Sequence, residues 1–365
     1  MQKRTGETEH SMRAVRLTGA RQLELVEMDA PRGDGHGVII SVSACGICGS
    51  DLHYWETGLD MCGQPGLILG HEFCGRVVDP GSRNDLVPGD RVTALPLDPC
   101  GECTPCRTGQ PNLCSRGLSR AVPGNNSPGA FAQYLRLRPD MVRRLPDSID
   151  DIEACLIEPS SVALHVVHQA GIKPGDRVLV TGAGPIGLLC AAWAKKQGAS
   201  PIAMSESNPH RRTFAGEFLD TDAVFDAGDP HLISKMKKAT QGSFDIAIET
   251  SASDAGINTA LAALKPRGRL VLAGINFHPQ SIFTLLLVIK EIEVKAGLGY
   301  TIEEFDQAME SIADKTLRVG HLACRTIPLT DVQKSFEHLA SGRSKDVKII
   351  LEVTSHNKKK MGLFK

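Results

Sequence analysis

Residues 177–198 read RVLVTGAGPIGLLCAAWAKKQG. An apolar run rich in β-branched residues enters a glycine turn, and an amphipathic stretch then closes at Gly198. That is the pattern of a buried strand, a tight loop and a helix. The loop carries G-x-G-x-x-G at Gly182, Gly184 and Gly187. The string alone is weak evidence, and a plain β-turn-α unit of a flavodoxin-like domain also fits it. Its setting is more specific: Glu206 follows Gly187 by 19 residues, at the end of the next apolar run. A dinucleotide site needs this arrangement. Gly182 permits the turn, Gly184 lets backbone approach a pyrophosphate, and Gly187 allows close helix–strand packing. Pro185 and Ile186 open the helix, whose unpaired N–H groups favour an anion. Glu206 would accept hydrogen bonds from the adenosine ribose and repel a 2′-phosphate. NAD is therefore expected over NADP, with Arg211 and Arg212 nearby working against that preference.

Downstream the alternation continues. PIAMSE (201–206), AVFD (223–226), FDIAIET (244–250) and GRLVLAG (268–274) read as strands separated by helical stretches. Strands alternating with helices of this length predict a parallel sheet with right-handed crossovers. Upstream, GVIISVSACG (37–46), FCGRVVDPG (73–81) and GDRVTALPL (89–97) are short β-rich runs closed by Gly or Pro. After Leu298 the pattern loosens into a helix, TIEEFDQAMESI (301–312), and a closing strand, DVKIILEV (346–353). An α/β unit is thus expected inside a β-rich domain, with boundaries at 1–160, 161–298 and 299–365.

The chain has 365 residues, 23% charged, with a formal net charge of -1. Such a balance argues against a nucleic-acid binder, which carries a basic surplus. The basic tail NKKKMGLFK (357–365) reads as a solvated end. Residues 1–15 lack the apolar run of a secretory signal, and IFTLLLVI (282–289) is too short to span a bilayer. A soluble, cytoplasmic protein is expected, without membrane or nucleic-acid partners. In that reducing setting the 11 cysteines point to metal before disulfides.

CGECTPCRTGQPNLC (100–114) spaces Cys100, Cys103, Cys106 and Cys114 as C-x2-C-x2-C-x7-C. Four thiolates on one short lobe match a closed tetrahedral structural zinc site, and an iron–sulfur cluster is the alternative on ligand count. A second set is dispersed: Cys48 in CGICGSDLHYW (45–55), His71 and Glu72 in GHEF (70–73), and Glu158 in LIEPSS (156–161). One thiolate, one imidazole and carboxylates suit a zinc that keeps an open position. Spacing alone does not link these three segments. The Cys45–Cys48 pair reads equally as a disulfide, a redox pair or half of a zinc clamp.

In order along residues 12–353, GICGSDLH, GHEF, PGDRV, the four-cysteine lobe, LIEPSSVALH and VTGAGPIG together resemble the zinc-dependent medium-chain dehydrogenase/reductase family. GICGSDLHYW and the glutamate of IEP resemble its polyol branch of sorbitol or iditol, butanediol and threonine dehydrogenases. The resemblance implies a Rossmann doubly wound parallel sheet inserted in a GroES-like catalytic domain. It also implies one catalytic and one structural Zn2+, NAD, an alcohol or ketone substrate, and a homodimer or homotetramer. It makes Cys48 and His71 catalytic zinc ligands, with Glu72 ranked ahead of Glu158 as the carboxylate. Cys45 becomes incidental, a buried small apolar residue, and Cys62, Cys74, Cys155, Cys190 and Cys324 take the same reading. Ser50 would accept the alcohol proton and pass it through the nicotinamide ribose to His53. Tyr54, Ser50 and Glu158 would face substrate. Thr250, Ser251, Ala273, Gly274 and Ile275 would line the nicotinamide, and Gly297, Leu298 and Gly299 would close over it.

Two places depart from the family. Gly299 stands where sorbitol dehydrogenases carry an arginine, and the loop SRAVPGNNSPGAF (119–131) differs. A secondary alcohol or diol is therefore expected in place of sorbitol. Threonine-type or sugar-alcohol-phosphate dehydrogenases are the alternatives within the family. A non-catalytic zinc-ribbon module would account only for the four-cysteine lobe.

Overall fold

Strand β1 (Ser11–Gly19) turns back on β2 (Gln22–Asp29) as an antiparallel hairpin in a computed structural model that describes residues 11–221 and 223–354. The basic tail and residues 1–10 lie outside the described residues. The chain divides into two compact units, Met1–Glu158 with Ala323–Lys365, and Pro159–Leu322.

The first unit continues with β3 (Val38–Gly46), β4 (Glu72–Asp79), β5 (Arg91–Ala94), β6 (Tyr134–Leu137) and β7 (Val142–Arg144). The second supplies β8 (Val178–Thr181), β9 (Ile202–Glu206), β10 (Val224–Asp226), β11 (Phe244–Glu249), β12 (Leu264–Leu272) and β13 (Glu293–Ala296). Back in the first unit come β14 (Ala323–Pro328) and β15 (Lys348–Glu352). The first unit's seven-stranded sheet runs β14-β15-β3-β4-β5-β7, with β6 also pairing β3. Its pairs are antiparallel except β14–β15. Leu17, Ile40, Leu69, Phe73, Phe131, Phe336 and Ile349 share its core.

The second unit carries six parallel strands in the order β10-β9-β8-β11-β12-β13. Counted within the unit this is 3-2-1-4-5-6, the Rossmann order. Every residue of β8 is buried, as a strand covered on both faces requires. β13 and the helix Thr284–Lys290 were not legible in the sequence.

The second unit ends at Leu322, beyond the return at 299 expected from the sequence. The helix Ile302–Ala313 accounts for the difference. Its T-x-x-E capping box pairs Thr301 with Glu304, and the Glu304 carboxylate also reaches His165 and His168 of the helix Ile157–Ala170, at 2.9 and 2.7 Å. No helix among the described residues is long and apolar enough to cross a membrane.

Candidate functional site

The four cysteines of the lobe converge. Cys103 Sγ lies 3.4 Å from Cys106 Sγ and 4.0 Å from Cys114 Sγ, and Cys100 Sγ lies 4.0 Å from Cys106 Sγ. A tetrahedral zinc with arms of about 2.3 Å needs sulfur separations of about 3.8 Å. The donors therefore fit a four-thiolate ion. Backbone N–H groups of Cys106 and Ser115 lower the Cys103 thiol to about 6. Burial, with Cys103 alongside, pushes Cys106 up to about 12, so a cation is needed to ionise all four.

The dispersed set is also brought together: ligand atoms of Cys48, His71 and Glu72 all lie within 4.8 Å of one another. Cys48 caps the helix Gly49–Thr57, where the dipole favours a thiolate. Ser50 lies in the first turn of that helix, with His53 three residues on and on the same face. His71 is buried and hydrogen-bonds the Cys48 side chain. Burial lowers its pKa, but the charges of Cys48, Asp51 and Glu158 outweigh that and the net shift is well upward. A soft thiolate, an imidazole and a carboxylate held this closely fit a zinc ion.

Two residues of this site carried no assignment from the sequence. Asp51, fully buried, points Oδ1 at His71 Nδ1 from 3.7 Å, and its Oδ2 accepts from Cys48 N at 2.8 Å. Lys348 donates to Ile47 O at 2.8 Å and ion-pairs with Glu72. Its signal was present, a lone lysine inside the apolar run VKIILEV. Tyr54 donates its hydroxyl to Asn125 Oδ1 at 3.2 Å, tying the helix to the divergent loop 119–131. Cys45, Cys74, Cys155 and Cys190 are buried as expected; Cys62 and Cys324 are exposed, because both lie in surface loop or edge segments rather than in a core.

In the second unit the glycine loop joins β8 to the helix Pro185–Lys196. Gly182 has φ +95°, and a Cβ at Gly187 would sit 2.0 Å from Gly182 O. Nothing lies within 4 Å of a Cβ at Gly184, which leaves that face open. Glu206 Oε2 accepts from Ala183 N and Oε1 from Asn208 N, both at 2.8 Å. Oε1 also accepts from Ser207 Oγ at 3.2 Å, so Oε2 is the oxygen that keeps a lone pair for a ribose hydroxyl. Arg212 is committed to Glu206 O, Ser207 O and Asp226. Arg211 lies half-buried, with no hydrogen bond to its Nε among the described residues. Thr250 donates to Thr181 O and Gly182 O, at 2.8 and 3.2 Å. Ala273 and Gly274 follow β12; Ile275 and Leu298 are exposed, and Gly299 has φ +61°.

Residues 34–147 match the family described as alcohol dehydrogenase GroES-like domain, and residues 185–314 the family described as zinc-binding dehydrogenase. A probable D-xylulose reductase A of Aspergillus clavatus is 33% identical over 339 residues, covering 90% of this chain and 93% of that protein. The solved structure of 2R,3R-butanediol dehydrogenase from Bacillus subtilis is similar at a TM-score of 0.82 and 27% identity, covering 93% of this chain and 99% of that one. L-idonate 5-dehydrogenase from Escherichia coli is similar at 0.83 and 26%, covering 94% and 98%.

Proposed function

The chain belongs to the zinc-dependent medium-chain dehydrogenase/reductase family, and from that premise we propose that it oxidises a secondary alcohol, diol or polyol reversibly to the ketone with NAD. The observation that carries this reading is the convergence of Cys48, His71 and Glu72 beside the helix that bears Ser50 and His53. Cys48, His71 and Glu72 would hold the catalytic ion, with the charge of Glu158 close by. Cys100, Cys103, Cys106 and Cys114 would hold the structural one. A bound zinc would supply Lewis-acid polarisation of the substrate hydroxyl, and a bound nicotinamide would supply the hydride acceptor.

The Asp51 carboxylate, 3.7 Å from His71 Nδ1, favours a proton on that nitrogen through its charge, which would leave Nε2 to face the metal. Ser50 takes the alcohol proton, and His53, one turn along, delivers it to solvent. Tyr54, braced by Asn125, sets one wall for substrate. Gly299 carries no side chain where sorbitol dehydrogenases carry an arginine, which argues against sorbitol itself. Gly182, Gly184, Pro185, Ile186 and Gly187 would take the pyrophosphate, and Glu206 the adenosine ribose of NAD.

The remaining expectations rest on surface chemistry. β13 is one edge of the six-stranded sheet. Beside it Phe283, Leu285, Val288, Ile289 and Val294 are exposed, an apolar face suited to a second copy of the chain. We infer that a subunit contact of a homodimer or homotetramer lies there. None of the 11 cysteines is bridged, which suits a cytoplasmic setting.

The test is a panel of secondary alcohols, 2,3-diols, polyols and threonine, assayed with NAD and NADP in parallel. Turnover of secondary alcohols, diols or polyols with NAD supports the reading. Activity confined to threonine or to NADP overturns it.

A further inference from the structure

Glu249 is a buried carboxylate, 1% exposed, at the C-terminal end of β11. The mechanism above gives it no role. Its Oε1 accepts from Ser251 N at 2.7 Å, Ser251 Oγ at 2.5 Å and Thr181 Oγ1 at 3.4 Å. Its Oε2 accepts from Ala252 N at 3.3 Å. The carboxylate thus faces back onto Ser251 and Ala252 of the Thr250–Ala252 segment that follows it.

Those residues form a strained turn. Ala252 sits at φ +54°, a left-handed conformation that a residue with a Cβ adopts at a cost. Two further features confine it: Asn276 Nδ2 donates to Ala252 O at 3.0 Å, and a Cβ at Gly274 would meet Ala252 N at 2.5 Å and Glu249 Oε2 at 2.7 Å. Gly256 also leaves room, since a Cβ there would lie 2.7 Å from Glu249 Oε1. The space around the carboxylate is therefore kept by glycines on two other segments.

The turn in its turn supports the glycine loop. A Cβ at Gly182 would be 3.0 Å from both Ser251 N and Thr250 Oγ1, and one at Gly187 would be 2.7 Å from Thr250 Oγ1. β8 and β11 are adjacent strands, and the order of strands reverses between them. Both loops leave the C-terminal ends of those strands, where open α/β sheets bind ligands.

We propose that Glu249 is a positioning residue for the dinucleotide: its carboxylate holds the Thr250–Ala252 turn in its left-handed form, and that turn sets the Gly182–Gly187 loop. The proposal rests on the dinucleotide reading given above. Glutamine at 249 keeps one acceptor for Ser251 but turns an amide donor toward Ala252 N–H, leaving that group unpaired. Glycine at 252 removes the cost of the left-handed residue, so it relieves the need for the carboxylate.

The experiment compares NADH binding, followed by nicotinamide fluorescence, and steady-state kinetics for E249Q, A252G and E249Q/A252G. E249Q is expected to weaken NADH binding and raise KM for NAD about tenfold with kcat little changed. A252G alone is expected to weaken NADH binding and raise KM less than E249Q does, and the double variant to recover most of the E249Q loss. If E249Q does not fold, A252V loads the same turn from the other side, because a β-branched residue resists positive φ, and the same rise in KM is expected. Unchanged NADH binding in folded E249Q or A252V, or a lowered Tm without a change in KM, overturns the proposal. Failure of the wild-type protein to bind NADH overturns the dinucleotide reading instead.

Discussion

Lys348 and Glu72 form an ion pair in which both side chains are buried, 2% and 1% exposed, beside the Cys48–His71 cluster. Burial lowers the ammonium pKa, but the charges of Glu72 and Cys48 outweigh it and the net shift is upward. Gly46 makes the pairing possible, since a Cβ there would lie 2.2 Å from Glu72 Oε2 and 3.0 Å from Lys348 Cε. The fold thus places a fixed positive charge among the anionic groups of its proposed metal centre.

Removing that charge alone should be costly. K348M strands a buried carboxylate and is expected to lower unfolding free energy by about 3 kcal/mol in urea titration. The double variant K348M/E72Q, which removes both charges, is expected to recover more than half of the loss. Equal instability of the single and double variants would show that the pair is not coupled.

Glu304 predicts an acid limit to stability. Burial raises its pKa, but hydrogen bonds from His165 and His168 outweigh that and bring it to about 2, against an ordinary 4.5. A lowered folded-state pKa contributes stability above about 4.5, which is lost as pH falls from there toward about 2. E304Q is expected to cost on the order of 2 kcal/mol at pH 7 and to flatten the pH dependence of Tm across that window. An unchanged acid-side slope in E304Q would contradict the assignment.

Val288, 73% exposed, is the clearest probe of the apolar face near β13. V288E is expected to convert a dimer to a monomer in analytical ultracentrifugation without lowering Tm of the monomer unit. A wild-type protein that sediments as a monomer removes the basis of this prediction.

Much of the second unit was legible because parallel strands are apolar runs and their helices are amphipathic, so β8 to β12 each announced themselves. β13 did not: EVKA is short, half polar and at the sheet edge, where one neighbour strand suffices. The four-cysteine lobe was readable because its ligands are close in sequence. The cluster of Cys48, His71 and Glu72 was readable only through resemblance, since His71 lies 23 positions after Cys48 and no local period joins them. Asp51 and Lys348 escaped for a related reason. Their roles depend on contacts across the sheet and helix that only the folded chain brings together.

Zinc content in wild type and C48S decides whether Cys48 belongs to a catalytic zinc site separate from the four-cysteine lobe. Two zinc per wild-type chain and one in folded C48S, with turnover abolished and NADH binding kept, is the predicted result. Equal zinc content in the two proteins, or retained turnover in C48S, would contradict it.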